Sequence, residues 1–335
     1  MRKIIMSIVL LLLLILNNGC SKKIDNPVAP DNSTGWTQVK DNIIVNAFAV
    51  SGTTIFAGIE GGVLSSNDNG VNWTANNNGL PSNTTVTSIA VSCTKIFIGT
   101  EGHGVFLSTD NGASWNPVNT GLTNTFVQAL AVSGTNIFAG TYGGLWGTVG
   151  GGVFLSTNNG TSWSSMNNGL TDTLVNALAV SGTNIFAGTK NGGVFLSTDN
   201  GTSWIAVNNG LNYNWGIQAF AVNGADLYAC TVSYGLFLST DNGTSWSAVN
   251  SGLTNKYVNS IVTSGNNLFA GTGSGVFLST NSGESWNQFN TGLKDTLVSA
   301  LTICGKNIFA GNLPQTEPVI YRGTLLPSGI WRHLL

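Results

Sequence analysis

The stretch that decides the fold is Ser197–Trp204, which reads STDNGTSW. Five close copies of this eight-residue motif occur along the chain, and each begins with Ser and ends with Trp. The copies are SNDNGVNW (66–73), STDNGASW (108–115), STNNGTSW (156–163), STDNGTSW (239–246) and STNSGESW (279–286). Successive Trp residues of the motif lie 40 to 48 residues apart. A period of this length indicates a protein built from repeated supersecondary units.

Each repeat carries the signals of four short β-strands. In one repeat, an alternating run at 175–180 is followed by a Ser-Gly-Thr-Asn turn, an apolar run at 185–189, a second turn and a third run at 193–197. Asp-Asn-Gly in the motif is a hairpin signal, and Ser203–Val207 supplies the fourth strand. Four strands in about 40 to 45 residues are typical of a propeller blade. The first run of the repeat occurs seven times, near 44–50, 86–91, 127–132, 175–180, 217–222, 258–263 and 298–303.

The two ends of the chain complete one repeat between them. The last repeat has its third-strand signal at Ser328–Arg332 and no room behind it for a fourth strand, whereas Gly35–Val39 is a spare fourth-strand signal before the first repeat. We therefore predict an all-β fold, a seven-bladed β-propeller of four-stranded antiparallel blades closed by the N-terminal strand, which removes exposed sheet edges. In the alternative, Val319–Arg322 is the third strand and Ile330–Leu334 the fourth, which leaves Trp36 surplus.

The eight-residue motif resembles the Asp-box, or BNR, repeat of sialidase-like propellers, S-x-D-x-G-x-[TS]-W. This resemblance covers six units and implies the propeller superfamily that also holds xyloglucanase-type hydrolases, the photosystem II assembly factor and sortilin-type receptors. Asp can cap N–H groups of its own turn, Gly takes the left-handed position and Trp fills the space between blades. Two motifs have Asn, which accepts the same hydrogen bonds but suits no acid–base role. We therefore assign structural roles to the motif residues Asp68, Trp73, Asp110, Trp115, Asn158, Trp163, Asp199, Trp204, Asp241, Trp246, Asn281 and Trp286.

The N-terminal residues have the features of a targeting segment. Arg2 and Lys3 precede an apolar run at 4–16, which has the length of a signal-peptide h-region. Cys20 follows a small residue after this run and resembles the lipidated Cys of a bacterial lipobox, although Asn17 stands where that motif usually has Leu. The sequence thus predicts lipidation of Cys20. The alternative is ordinary secretory cleavage nearby, which would leave a soluble exported protein.

This assignment divides the chain into three parts. We predict a lipoprotein signal peptide over 1–20, a flexible tether over 21–34 and the propeller over 35–335. The tether has two Pro residues and no hydrophobic period, as a flexible linker does. We expect an exported bacterial protein whose lipid anchor on Cys20 makes the membrane its partner, at the outer membrane or the cell surface.

The composition excludes several classes of partner and site. The chain has 12 Lys and Arg against 14 Asp and Glu, a formal net charge of −2, which argues against nucleic acid. With only His103 and His333, no zinc-type cluster can be assembled, and we predict no metal and no cofactor. The odd set Cys93, Cys230 and Cys304 indicates buried or turn-lodged thiols and no disulfide framework. We expect a monomer.

Catalytic candidates are few. The resemblance implies an arginine triad for a sialidase, but beyond Arg2 the chain has only Arg322 and Arg332, so sialidase activity is excluded. Xyloglucanase-type hydrolases use a carboxylate pair. Glu60 and Glu101 occupy equivalent turns of neighbouring blades, which predicts a separation of roughly 8–12 Å, at the wide limit of an inverting pair. We favour two solvated loop carboxylates and assign no catalytic residue beyond these two candidates.

Departures from the repeat indicate a binding face. The insertion YGGLWGTVG (142–150) and the segment NYNWG (212–216) add aromatic residues to loops at one end of the propeller. Exposed aromatic rings with Asn and few charges suit stacking on sugars or contact with a protein loop. In the alternative, the rings cover gaps between uneven blades. The candidate ligand-binding residues are Glu101, His103, Tyr142, Trp146, Tyr213, Trp215, Tyr234 and Tyr257.

Three functions follow from these observations. The first is a non-enzymatic binding or scaffolding propeller of the cell surface or periplasm, with a glycan or protein ligand on the face that carries the inserted loops. The second is a glycoside hydrolase of xyloglucanase-like type, and the third is a structural, adhesive surface domain. We favour the first because the blades are nearly identical and no convincing acid pair is present.

We expect Cys20→Ala to move the protein from the membrane fraction to the soluble fraction. Each buried methylene of an acyl chain contributes about 0.8 kcal/mol of membrane affinity, so losing the acylated thiol removes the anchor. Cell fractionation checks this, with Ser21→Ala as the matched control that keeps the thiol. Unchanged membrane association of Cys20→Ala would contradict lipidation.

Overall fold

A computed structural model describes residues 35–143, 150–211, 216–294, 297–312 and 328–335. These residues form seven sheets of four antiparallel strands, arranged in a ring, and they contain no helix. The predicted seven-bladed β-propeller is therefore confirmed. Accordingly, no helix in this part of the chain is long and apolar enough to cross a bilayer.

The strands fall into four concentric layers. The innermost strands, of seven residues each, are β2 (Val45–Ser51), β6 (Val86–Ser92), β10 (Val127–Ser133), β14 (Val175–Ser181), β18 (Ile217–Asn223), β22 (Val258–Ser264) and β26 (Val298–Cys304). The second strands, of six residues each, are β3 (Thr54–Ile59), β7 (Lys95–Thr100), β11 (Asn136–Thr141), β15 (Asn184–Thr189), β19 (Asp226–Thr231), β23 (Asn267–Thr272) and β27 (Asn307–Asn312). The third strands are β4 (Gly62–Ser66), β8 (Gly104–Ser108), β12 (Gly152–Ser156), β16 (Val194–Ser197), β20 (Gly235–Ser239), β24 (Gly275–Ser279) and β28 (Gly329–Leu334). The outermost strands are β5 (Thr74–Ala75), β9 (Asn116–Pro117), β13 (Ser164–Ser165), β17 (Ile205–Ala206), β21 (Ser247–Ala248), β25 (Asn287–Gln288) and β1 (Thr37–Asp41).

Blades are numbered here by their innermost strands, so blade 1 holds β2 to β5 and blade 7 holds β26, β27, β28 and β1. The hydrophobic core lies between neighbouring blades. In one such cluster, Phe138 and Val153 of blade 3 pack with Phe195 and Trp204 of blade 4. The second strands are buried on both faces because each lies between two blades, which explains their continuous apolar runs. Burying one such Phe stabilises the fold by about 1.5–3 kcal/mol.

Close packing of the blades requires a small residue on the second strand. A Cβ atom added to Gly58 would lie 2.6 Å from Cγ1 of Val86, the first residue of the next blade's innermost strand. In blade 5 this position holds Cys230, which is fully buried, and burial raises the pKa of its thiol. Cys304 is also buried, and Cys93 is exposed in a turn with φ of 55°. All three thiols are free, as predicted.

The Trp of the motif joins each blade to the one before it. Trp115 of blade 2, for example, donates its indole N–H to the carbonyl of Asn76 in blade 1 at 2.8 Å and its backbone N–H to Asn78 at 2.9 Å. The same pair of bonds is made by Trp163, Trp204, Trp246, Trp286 and Trp36. The loop that accepts them needs Gly79, since its φ is 88° and an added Cβ would lie 2.1 Å from the Trp115 carbonyl oxygen. Six of the seven junctions in the described chain therefore share one construction.

The junction between blades 7 and 1 is built differently. Only residues 42–44 connect β1 to β2, whereas residues 76–85 connect β5 to β6, so no Asn-Gly loop is present to accept bonds from Trp73. Trp73 is half-buried and donates its indole N–H to Gly70 in its own turn. Its ring lies edge-on to Phe309 of blade 7, and Arg332 of β28 donates to the Asn69 carbonyl at 2.9 Å.

The N-terminal strand completes blade 7, as predicted. β1 pairs antiparallel with β28, with Thr37 opposite Arg332 and Gln38 opposite Trp331, and β28 pairs in turn with β27. The alternative that made Ile330–Leu334 the fourth strand is wrong, because β28 is the third strand of its sheet. Trp36 lies 4 % exposed beside Phe289 and His333.

The fourth strands of blades 1 to 6 are shorter than predicted, whereas β1 of blade 7 has five residues. We expected strand pairing over Ser203–Val207, but β17 holds only Ile205 and Ala206, and Trp204 precedes it. The reason is that Trp204 directs both its N–H donors to blade 3 and cannot also take part in the ladder of its own blade.

We expect Trp36→Ala to destabilise the propeller by roughly 3–5 kcal/mol, as for other buried Trp truncations. Trp36 is almost fully buried and bonds across a junction, so its removal loosens both blade 6 and the closing strand. Trp73→Ala is the matched control, and we expect a clearly smaller loss because Trp73 is half-buried and bonds within its own turn. Denaturant unfolding of both variants measures the difference, and equal losses would contradict the assigned closure.

Candidate functional site

Each innermost strand has a β-bulge at its second residue. In β2, Val45 pairs with Ile59 and Ala47 with Gly58, so Asn46 has no partner in the ladder. The same register shift occurs in all seven innermost strands of the described chain. A bulge re-aims the side chain of its extra residue. The seven bulge residues are all polar, and they are Asn46, Thr87, Gln128, Asn176, Gln218, Asn259 and Ser299.

Four bulge residues tie their blade to the next one. Asn46 donates to the Val86 carbonyl at 3.1 Å and Asn259 to the Val298 carbonyl at 2.9 Å. Thr87 bonds to the Val127 carbonyl, and Ser299 to the Val45 carbonyl at 2.6 Å. These side chains stabilise the ring of blades near the channel axis.

The other three bulge residues are consecutive around the ring. Within the described residues, Gln128, Asn176 and Gln218 of blades 3, 4 and 5 make no corresponding bond to the next blade. Gln128 is exposed, and the other two are partly buried. Their amide groups therefore offer donors and acceptors at one side of the channel.

A second ring of variable residues surrounds the first. In blades 1 to 6, the residue after the second strand donates its backbone N–H to the carbonyl of the residue that precedes the innermost strand of the same blade, as Lys190 does to Leu174 at 2.9 Å. Since the backbone is fixed in this way, the side chain at this position can change from blade to blade. For blades 1 to 6 these residues are Glu60, Glu101, Tyr142, Lys190, Val232 and Gly273.

The two rings meet at one end of the central channel, where the innermost strands begin and the second strands end. This end is the channel mouth. A cavity of about 610 Å³ there includes Glu60 and Glu101, and a second of about 420 Å³ includes Lys190 and Tyr234. The two cavities share the lining residues Gln128, Tyr142, Asn176 and Gln218. They form one polar concavity of the size of a small-molecule or glycan site.

The turn that carries Lys190 is held by a carboxylate. Asp172 accepts the backbone N–H groups of Asn191 at 2.7 Å and Gly192 at 2.9 Å, so the turn is fixed before any ligand is present. The Lys190 ammonium lies 5.2 Å from the centroid of the Tyr142 ring, a cation–π contact. Cation and ring are thus positioned together at the mouth.

The structure brings together only part of the predicted site. Glu60, Glu101, Tyr142 and Tyr234 line the channel mouth. The remaining candidates divide into two groups. His103 and Tyr257 are exposed but line neither cavity, and Trp146, Tyr213 and Trp215 lie outside the described residues.

Sequence reasoning missed the bulge residues and Lys190. It searched for insertions and aromatic residues, whereas these residues lie in the regular part of the repeat. Aligning the seven innermost strands would have found the signal, because the second position of each strand is polar in every blade. Aligning the residues that follow the second strands likewise places Tyr142 and Lys190 at the position of Glu60 and Glu101.

The Asp of the motif lies in the turn after the third strand, at the opposite end of the blade from the channel mouth. Asp199 accepts from the Ser203 hydroxyl at 2.6 Å, the Ser203 backbone N–H at 2.9 Å and the Ser197 hydroxyl at 2.8 Å. Ser197 in turn accepts the N–H of Gly201 at 2.8 Å. Asn158 reproduces this pattern, since its carbonyl oxygen accepts the Ser162 N–H at 2.9 Å.

These hydrogen bonds favour the ionised form of each motif Asp. The Ser203 side chain first, and then its backbone N–H, lower the pKa of Asp199 from 3.8 to about 2. Ser114 does the same for Asp110, and the Asn72 backbone N–H for Asp68, each to about 2. The pKa of Asp241 is lowered through Ser245. A carboxylate held ionised by its own turn is a poor general acid.

The described residues contain no group of three or more His, Cys, Asp or Glu side chains positioned to hold a metal ion. One of the two histidines, His333, is buried beside Trp36 and Phe289, away from the channel mouth.

No family model and no curated protein sequence matches the chain. Solved structures share its fold at low sequence identity. The extracellular domain of the putative one-component system BT4673 from B. thetaiotaomicron superposes with a TM-score of 0.71 and 15 % identity, over 90 % of this chain and 40 % of that one. YCF48 from Cyanidioschyzon merolae gives 0.64 and 14 %, over 90 % and 98 % of the two chains.

An enzyme has the same fold. The GH74 enzyme of Niastella koreensis superposes with a TM-score of 0.61 and 17 % identity, over 88 % of this chain and 43 % of the enzyme. This chain thus spans less than half the length of both the BT4673 domain and this enzyme. At these identities the comparisons establish the propeller fold alone.

We expect the Asp residues of the motif to make stability depend on pH in the acid range. Their folded-state pKa lies below the ordinary value of 3.8, so their stabilising effect is complete above about pH 4 and is lost as pH falls through about 2. Replacing Asp110, Asp199 and Asp241 by Asn keeps the hydrogen bonds that Asn158 makes and removes the titration.

Thermal unfolding between pH 2 and pH 7 measures this effect. The triple Asn variant should unfold near the wild-type temperature at pH 7 and lose less stability at low pH. An identical acid dependence of the two proteins would contradict the structural assignment of these carboxylates.

Proposed function

We propose that this chain is a non-enzymatic binding propeller, exported and held at a bacterial membrane through Cys20, that takes its ligand at the channel mouth. The observation that carries the proposal is the arc of Gln128, Asn176 and Gln218. The equivalent residues of the other blades bond across blade junctions, whereas these three amides line the concavity without such a bond.

The surroundings of the arc support binding. Tyr142 and Tyr234 line the same concavity, and Tyr234 is 46 % exposed. A mostly rigid site with a few convergent polar groups and aromatic rings is typical of ligand binding. The concavity lies where the seven innermost strands begin, so its side chains project from hydrogen-bonded β-strands. This paired backbone keeps the side chains in place without a ligand.

The carboxylates support binding more than catalysis. The four motif Asp side chains are bonded within their own turns at the other end of the blades. Glu60 and Glu101 are exposed, whereas the general acid of a glycoside hydrolase usually lies in an apolar, buried environment. A glycoside hydrolase is the second candidate, because Glu60 and Glu101 do line one cavity.

Export and anchoring rest on the N-terminal sequence, with its apolar run at 4–16 and Cys20. Export also fits the extracellular placement of the BT4673 domain, which has the same fold. The proposal also includes Trp146, Tyr213 and Trp215, which lie outside the described residues. We propose that these aromatic residues extend the binding surface.

We expect the triple variant Gln128→Ala, Asn176→Ala, Gln218→Ala to lose ligand binding with little change in stability. Its side chains make no bond between blades, so the ring of blades should be unaffected. Purified protein probed on a mixed glycan and peptide array, with wild type in parallel, measures binding, and thermal unfolding measures stability.

The matched control is the triple variant Asn46→Ala, Asn259→Ala, Ser299→Ala. It removes three bulge residues that do bond between blades, and each lost bond should cost about 1 kcal/mol of stability. A ligand that binds both triple variants equally would contradict a site at the arc. Hydrolysis of a bound glycan that is lost in Glu101→Gln would replace the binding function by the second candidate.

A further inference from the structure

We propose that the arc over blades 3 to 5 binds an acidic saccharide, with a hexuronate carboxylate on the Lys190 ammonium and the sugar hydroxyls on the amides of Gln128, Asn176 and Gln218. This inference rests on the proposed function, since it names the ligand class of the same site.

The charges at the channel mouth are separated. Among the described residues, Lys190 is the one charged side chain that lines the smaller cavity, and Glu60 and Glu101, on blades 1 and 2, are the charged side chains that line the larger one. A ligand with one carboxylate is attracted to blade 4 and repelled from blades 1 and 2, which fixes its orientation. Lys190 is exposed and can meet the carboxylate without losing a buried partner.

The amides match hydroxyl groups. A side-chain amide presents an acceptor oxygen and a donor NH₂ group side by side, and a sugar hydroxyl both donates and accepts. Three such amides, on the innermost strands of three consecutive blades, give the arc three donor–acceptor pairs at the spacing of neighbouring blades. In a chain with few charged groups, this arrangement selects a ligand rich in hydroxyls.

The aromatic rings complete the fit. Tyr234 lines the cavity with nearly half of its surface exposed and can cover the apolar face of a sugar ring. Tyr142 lies under the Lys190 ammonium and holds the cation over the cavity. The volume of about 420 Å³ lies in the range of small-ligand sites.

A peptide fits this concavity less well. Extended peptides bind by adding to a free strand edge, and acidic peptides are usually held by clusters of Arg. Arg332 bonds at the junction of blades 7 and 1, so it supplies no cation to the arc.

The test uses the full chain and oligosaccharides that carry a single hexuronate residue, namely aldobiouronic and aldotriouronic acids, with neutral oligosaccharides of equal length. Titration calorimetry should detect hexuronate binding that weakens as NaCl rises, because an exposed ion pair is screened. Lys190→Gln should weaken hexuronate binding about tenfold, and Glu101→Gln should strengthen it severalfold.

The matched control is Lys256→Gln. Lys256 is exposed on the loop before β22, at the same end of the propeller, but lines neither cavity. Its removal changes the net charge as Lys190→Gln does and should leave the affinity unchanged. Equal losses of hexuronate affinity in the two variants would show that only the net charge of the protein matters. That result would overturn a carboxylate site at Lys190.

The outcomes separate this inference from the proposed function. No hexuronate binding by the wild type overturns the ligand class. A neutral glycan or an acidic peptide that binds the wild type and Lys190→Gln equally, but not the triple amide variant, also overturns the ligand class and leaves the binding function in place. Hexuronate binding that persists in the triple amide variant overturns the arc as the site, and with it both proposals.

Discussion

The Trp that ends each motif is the interaction on which the propeller depends. A blade whose outermost strand has two residues is too small a sheet to be stable alone. Trp115 and its equivalents bury a large ring between two blades and donate two hydrogen bonds to the preceding blade. Each blade is therefore stabilised mainly by its neighbours. The ring must close so that the last blade also packs against a neighbour on each side. Trp36 provides this closure from the N-terminal side, which is why β1, from the opposite end of the described chain to β28, belongs to blade 7.

This construction leaves particular positions free to vary. The two faces of the second strands are occupied by the core, and the motif turns are occupied by their own hydrogen bonds. Two other positions belong neither to the core between blades nor to a motif turn. They are the bulge residue of each innermost strand and, in blades 1 to 6, the residue after the second strand. In blades 1, 2, 6 and 7 the bulge residue still bonds between blades, whereas in blades 3 to 5 it does not. The bonds between blades and the proposed binding site thus occupy different arcs of the same ring.

The sequence predicted the architecture well because the constraint recurs. The spacing of the repeats predicted seven blades. The segment at Trp36, a fourth-strand signal with no repeat before it, predicted that the N-terminal strand closes the ring. It overestimated the fourth strands, because Trp204 obeys packing between blades and a strand pattern cannot show that. It missed Gln128, Asn176 and Gln218 because a bulge adds one residue without disturbing the apolar alternation on either side. Whether their amides bond to the next blade depends on how the side chains are placed in the assembled ring, which no pattern of residue types contains.

A ring of seven identical blades would offer a ligand seven equivalent sites, so a single site with one orientation requires that equivalent positions differ. At the position after the second strand, the side-chain charge changes from negative to positive over four consecutive blades, from Glu60 and Glu101 through Tyr142 to Lys190. The backbone hydrogen bond at this position is the same in all four blades. Replacing the side chain at this position changes the electrostatic potential at the channel mouth without altering a blade junction. The motif Asp residues illustrate the opposite case. Their carboxylates are saturated by donors of their own turn, so their charge serves the fold and is unavailable to a ligand.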